Sequence, residues 1–117
     1  MSERPRCSIF AALSLDGFLS RIDGSIDWLI EANRIVPKGE DCGFGEFIAA
    51  VDTLVMGRAS FELVRGFAEW PYGDLPVVVL SQAWRSLPPG TPSTVQLSDE
   101  APEQLVARLA REGRRHL

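Results

Sequence analysis

Apolar residues in this chain fall into short runs, broken by Gly, Pro and Asp, and the spacing within each run predicts its element. Cys7 to Leu15, CSIFAALSL, is apolar without sharp alternation, the pattern of a strand buried on both faces. DGFLSRIDGS follows with two Asp-Gly pairs and predicts a loop turning at Asp16-Gly17 and Asp23-Gly24. Asp27 to Ile35 predicts a short helix, and Pro37 to Gly45 a loop. Phe44, Phe47, Ile48 and Val51 recur at helical spacing, so a helix crosses there toward the next strand, Thr53 to Met56, which Gly57 closes. A short helix is expected over Ser60 to Val64, then RGFAEWPYGDLP breaks the pattern. VVVL, Val77 to Leu80, is the third and clearest strand, and Thr94 to Leu97 a weaker fourth. A helix is expected from Asp99, with Asp99, Glu100 and Glu103 near its start, Pro102 in its first turn, and Arg108 and Arg111 near its end. That polarity suits the helix dipole, and Leu105, Val106 and Leu109 form the apolar stripe. REGRRHL then stops the helix at Gly113 and reads as the start of another strand. Strands alternating with helices predict a layered α/β domain with parallel neighbours.

Length and composition narrow this picture. The 117 residues predict one domain, 1–117, with a single modest core, and 45% apolar residues exclude disorder. A formal net charge of −4 gives no global field to draw in nucleic acid or an anionic membrane, and Arg108, Arg111, Arg114 and Arg115 read as a solvated helix end. Cys7 and Cys42 lie in no CxxC and near no His, so neither a metal site nor a disulfide framework is indicated. Two reduced thiols and no long apolar leader predict a cytoplasmic protein. The single histidine, His116, stands next to the chain end, which argues against histidine-based acid–base chemistry.

Three constellations carry candidate chemistry. Gly57-Arg58 at a strand end, with Ser60 opening a helix, offers backbone N–H groups, a helix N-terminus and a guanidinium to a phosphate. Read alone, the same residues are a turn glycine and a solubilising arginine, and no Walker spacing is present. GEDCGFGEF contains Gly-x-Gly, but not after a strand, so a Rossmann fingerprint is rejected. Asp41 within it is either a helix cap or a partly buried carboxylate with a raised pKa that handles a proton. Trp28 and Trp70 are either ordinary core or walls for a flat ring.

IFAALSLDGFLSRIDGSIDWL, then DCGFGEFIAAVDTLVMGRASFE, then PVVVLS, in that order, resembles the dihydrofolate reductase fold over nearly the whole chain, from Cys7 to Arg115. The closest resemblance is to the branch holding the reductase domain of the riboflavin-biosynthesis deaminase–reductase. The resemblance implies a three-layer α/β fold with a mainly parallel central sheet, and an NADPH cofactor. It implies that Ala12 hydrogen-bonds the nicotinamide carboxamide through its backbone, and that Asp16, Gly17 and Leu19 lie in a mobile loop closing over the nicotinamide. Trp28 would line the reaction site as a loop tryptophan, and Asp41 would be the acidic substrate-binding residue. Gly57, Arg58 and Ser60 would hold the cofactor phosphates, Arg58 toward the 2′-phosphate, while Leu80 and Ser81 flank the adenosine. Family members continue beyond the last helix with further strands and a Gly-Gly turn, so the resemblance leads one to expect that the C-terminal strands are missing here.

The expected function is therefore an NADPH-dependent reductase transferring a hydride to a small heterocyclic or ribosylaminopyrimidine-type substrate, as 5-amino-6-(5-phosphoribosylamino)uracil reductase does. The alternative, from a different class, is a truncated, non-catalytic half-domain that self-associates, with weak or no nucleotide binding. A sheet edge near His116-Leu117 would be the surface through which a homodimer forms.

Overall fold

Val77, Val78 and Val79 are almost sealed from solvent, at 0%, 2% and 0% exposure, and the fold builds outward from them. The computed structural model, which describes residues 4–117, places them in β2 (Val77–Leu80). This strand is the centre of a three-stranded parallel sheet ordered β1-β2-β3, with β1 at Leu54–Gly57 and β3 at Val95–Ser98. The register sets Leu54, Val77 and Val95 side by side at one end, and Gly57, Leu80 and Ser98 at the other. A central parallel strand needs cover on both faces, which is why VVVL is apolar throughout rather than alternating.

Successive side chains point to opposite faces, and each face has its own helix. Val77, Val79 and Val95 pack with Phe61 of α3 (Arg58–Arg65), and Leu54, Met56 and Leu97 join them. Val78 packs with Leu105 and Leu109 of α4 (Pro102–Arg111) and with Leu117; Val55 and Leu80 lie against that cluster. Helix, sheet and helix make three layers, as the resemblance implies, with the parallel neighbours that the alternating pattern predicts. Phe61 is wholly buried, and the rings of Trp70 and Trp84 stand edge-on to it with centroids 6.1 Å away. Trp70 therefore packs against the core while partly buried, and it also lines a small cleft with Phe67 and Pro92.

Helix ends follow local chemistry. Pro102 at the first position of α4 has no N–H to leave unpaired, and the Gln104 side chain accepts from the Ala101 N–H at 3.3 Å. Gly113 at φ +88° stops the helix, and the Arg114 N–H returns to the Leu109 carbonyl at 2.9 Å. The helix starts three residues later than the acidic run suggests, because Ser98 and Glu100 bond each other instead: the Ser98 hydroxyl donates to Glu100 at 2.8 Å. α3 likewise starts at Arg58, ahead of Ser60.

The expected first strand does not form. Cys7 to Leu13 is exposed and irregular, and only Arg6 makes a parallel bridge, to His116. An apolar run becomes a strand only where partners cover it; this one pairs with another segment at its start, and near its end Ser14 bonds only into the Asp16-Gly17 turn. Those bonds change the reading of the chain end as well. The Arg6 N–H donates to Arg115 O, Leu117 N–H to Arg6 O, and Ser8 N–H to Leu117 O, at 2.8–2.9 Å. On its other side, His116 O accepts from the Asp52 N–H at 2.8 Å. The segment at His116-Leu117 is thus paired on both sides, with Leu117 buried, and is not the open apolar edge the sequence suggests.

The chain divides into two compact units, residues 4–8 with Ile48–Leu117, and Ile9–Phe47. The second holds α1 (Asp27–Asn33) and the start of α2 (Phe44–Ala50), with the Phe10 ring 5.7 Å from Phe44 and 5.2 Å from Phe47. None of its residues is buried. Among the described residues no helix is long and apolar enough to cross a membrane.

Asp52 ties the terminal segment down: one carboxylate oxygen accepts from the Arg115 N–H at 2.7 Å and the His116 N–H at 3.3 Å. Asp52→Ala is expected to lower unfolding free energy by about 1–3 kcal/mol, since two backbone donors lose a charged acceptor. Denaturant unfolding measures this, and exchange at the Ser8 and Leu117 amides should accelerate with it. Unchanged stability and exchange would show that the backbone bonds to Arg6, Ser8 and the Asp52 N–H, with Leu117 burial, hold the segment without the carboxylate.

Candidate functional site

At the carboxyl edge of the sheet the register brings Gly57 beside Leu80, with Arg58 and Ser81 one residue beyond. Ser60 lies in the first turn of α3, so five of the residues singled out from sequence meet along one edge. Gly57 is the position before α3, with φ −82° and ψ 171°, and no side chain caps the helix. The N–H groups of that first turn therefore face outward with the positive end of the helix dipole. Gly57 has ordinary extended backbone that any residue adopts. A Cβ built on it would meet nothing within 4 Å. Among the described residues neither turn geometry nor packing calls for glycine there, so the position is open on its outer side.

After β2 the chain covers one face, where Trp84 and Leu87 join the Phe61 cluster; after β3 it covers the other, through α4. In open α/β sheets, ligands enter at the carboxyl ends of neighbouring strands whose connections leave in opposite directions. Ser81 stands there, its N–H donating to Ser98 O at 2.9 Å. Its hydroxyl accepts from Ala83 and Trp84 N–H, both at 3.2 Å, so it shapes the turn.

Two sets of ion pairs escape the sequence reading. The Arg58 guanidinium donates to Glu62 at 3.0 Å, one helical turn on, with both side chains about half exposed. The signal was available, because Arg and Glu four apart on a helix face pair readily. Arg108 spans Glu100 at 2.9 Å and Glu112 at 2.7 Å. The Ser98 hydroxyl and then Arg108 hold the Glu100 carboxyl below its ordinary range.

The second unit carries the other candidates, in two clefts. Asp16 and Trp28 line one, of about 720 Å³, together with Ser14, Phe18, Arg21 and Asp23. Trp28 is half-buried and belongs to α1 rather than to a loop. The Asp16-Gly17 turn is closed from both sides: Ser14 N–H donates to Phe18 O and Gly17 N–H to Ser14 O, both at 2.9 Å. Gly17 takes φ +91°, as an Asp-Gly turn needs, and Leu19 beyond it is exposed. The second turn, at Asp23-Gly24, is framed by an Arg21–Asp27 ion pair at 2.6 Å.

Ala12 and Asp41 line the other cleft, of about 640 Å³, with Phe10, Leu29, Asn33, Glu40 and Phe44. Asp41 is exposed, and its two oxygens accept from Gly43 N–H at 3.0 Å and Gly45 N–H at 2.9 Å. First the Gly45 bond and then the Gly43 bond hold its carboxyl below the ordinary range. The raised pKa offered as its functional reading is corrected: burial is too slight to oppose two backbone donors. The glycines of GEDCGFGEF follow from the same contact. Gly43 takes φ +88°, and a Cβ on Gly45 would stand 2.8 Å from the Asp41 carboxylate.

Comparison with known proteins bears on the whole chain. No family model matches it. It is 41% identical over 68 residues to the uncharacterised protein YwjB of Bacillus subtilis (strain 168), covering 36% of that protein. It is 38% identical over 52 residues to the uncharacterised YyaP of the same organism, covering 24% of it. A crystal structure from Shewanella sp. PV-4, of a protein provisionally named for riboflavin biosynthesis, superposes with a TM-score of 0.80 at 34% identity. It accounts for 100% of this chain, which spans 63% of it. The likeness agrees with the α/β dihydrofolate reductase-like fold that the sequence motifs imply.

Asp41 also generates a pH prediction. A carboxyl whose folded pKa is depressed contributes stability above its unfolded pKa, and that contribution is lost as pH falls through the folded value. The Gly43 and Gly45 amide resonances should therefore move together only below the ordinary carboxylate range, and Asp41→Asn should abolish the movement. A shared titration at or above that range would contradict the cap.

Proposed function

We propose that this chain is the NADPH-binding part of a dihydrofolate reductase-like reductase, which transfers a hydride to a small heterocyclic or ribosylaminopyrimidine-type substrate. The observation carrying the proposal is Gly57, a glycine that neither backbone nor packing requires, at a strand end before an uncapped helix. An absent side chain there leaves room for a phosphate to approach the first-turn N–H groups of α3. The riboflavin naming of the Shewanella protein supports the substrate class.

In this reading Gly57, Arg58 and Ser60 take the cofactor phosphates, and Leu80 and Ser81 flank the adenosine. Ala12 and the Asp16–Leu19 turn meet the nicotinamide, and Trp28 walls the reaction site. The nicotinamide, when bound, supplies the hydride; the chain binds and orients. Asp41, held ionised, accepts a hydrogen bond from a substrate N–H group and does not donate a proton at neutral pH.

A second reading, a non-catalytic self-associating chain, is favoured by a separate observation. Ile9, Leu15 and Ile22 are 93%, 108% and 110% exposed, in a unit with no buried residue. Apolar surface of that kind promotes association between copies. Light scattering at micromolar concentration should give about two chains' mass, by the commonest two-fold closure. A monodisperse monomer would remove that reading.

The reductase reading is tested at Arg58. Arg58→Ala should weaken NADPH binding by about tenfold, the ~1.5 kcal/mol of a charge-assisted contact at a half-exposed position, while NADH binding changes little. Equal losses for the two cofactors, by calorimetric titration, would remove the 2′-phosphate assignment.

A further inference from the structure

Arg58 is not an unengaged guanidinium waiting for an anion. One of its terminal nitrogens donates to Glu62 at 3.0 Å, and its remaining N–H groups have no partner among the described residues. At 44% and 46% exposure the two side chains form a surface pair, which costs little to open. Glu62 nevertheless stays close, because both residues are fixed on one rigid helix, a single turn apart.

We propose that Glu62 sets how strongly this edge discriminates between 2′-phosphorylated and unphosphorylated adenine nucleotides. The proposal rests on the phosphate reading of Gly57-Arg58. A phosphate dianion drawn to the open side of Arg58 meets the Glu62 carboxylate across the same guanidinium. Like charges at that separation repel, so part of what Arg58 contributes to phosphate binding is offset. A ribose hydroxyl in the same place carries no charge and meets no such penalty. The two side chains thus pull in opposite directions: Arg58 toward the phosphorylated ligand, Glu62 toward the free diol. No other acidic side chain lies on α3, so the opposing charge on this helix is Glu62 alone.

Glu62→Gln tests this, because it removes the charge and keeps an oxygen that can still accept from Arg58. The probes are adenosine 2′,5′-bisphosphate and AMP, titrated calorimetrically against the 117-residue chain at low and high salt. The ratio of the two affinities should shift toward the bisphosphate by roughly three- to tenfold in Glu62→Gln, as Coulomb interaction at a half-exposed site implies. Added salt should shrink that gain. An unchanged ratio in Glu62→Gln, beside a collapsed one in Arg58→Ala, overturns the role of Glu62 and leaves the phosphate site standing. No preference for the bisphosphate in the unaltered chain, and none lost in Arg58→Ala, overturns both.

Discussion

The parallel register of β2 with its two neighbours is the constraint on which the rest depends. It buries Val77, Val78 and Val79 between α3 and α4, and it fixes which residues end together. Because the strands are parallel and in step, Gly57, Leu80 and Ser98 finish at one edge. Their following residues supply a helix N-terminus, a turn and an acidic cluster. A slip of one residue in β1 would turn Leu54 and Met56 away from Phe61, so the core enforces the edge. Core and candidate site are two consequences of one alignment.

Polar groups at that edge are largely engaged with one another. Arg58 with Glu62, Ser81 with the Ala83 and Trp84 amides, and Glu100 with Ser98 and Arg108 are all paired. The first-turn amides of α3 contrast with them, for the position that normally supplies a cap is Gly57. An anion is favoured where donors are left over, and here those donors are backbone. Asp41 shows the reverse case: its carboxylate accepts from the Gly43 and Gly45 N–H groups and organises the start of α2.

Local patterns in the sequence were legible where the physics was local. VVVL could only be a strand covered on both faces, the Asp-Gly pairs could only be turns, and Gly113 could only end a helix. Cys7 to Leu13 shows the limit, since apolarity alone does not supply the partners a strand needs. The chain end was misread for the same reason: the pairing of His116 with Arg6 and Asp52 joins residues far apart in sequence. Gly57 was ambiguous in sequence because a glycine letter does not say whether backbone, packing or ligand calls for it; its φ and open surroundings set aside the first two among the described residues. Glu62 was missed, although its spacing, one helical turn after Arg58, carried the signal.

Backbone amide resonances during an NADPH titration test the central claim most directly. The account predicts that the largest shifts fall on Arg58, Ala59 and Ser60, the first turn of α3, with Ser81 following at the same ligand concentration. Saturating NADPH that leaves these amides unmoved, or moves only residues away from the carboxyl edge of the sheet, would contradict it.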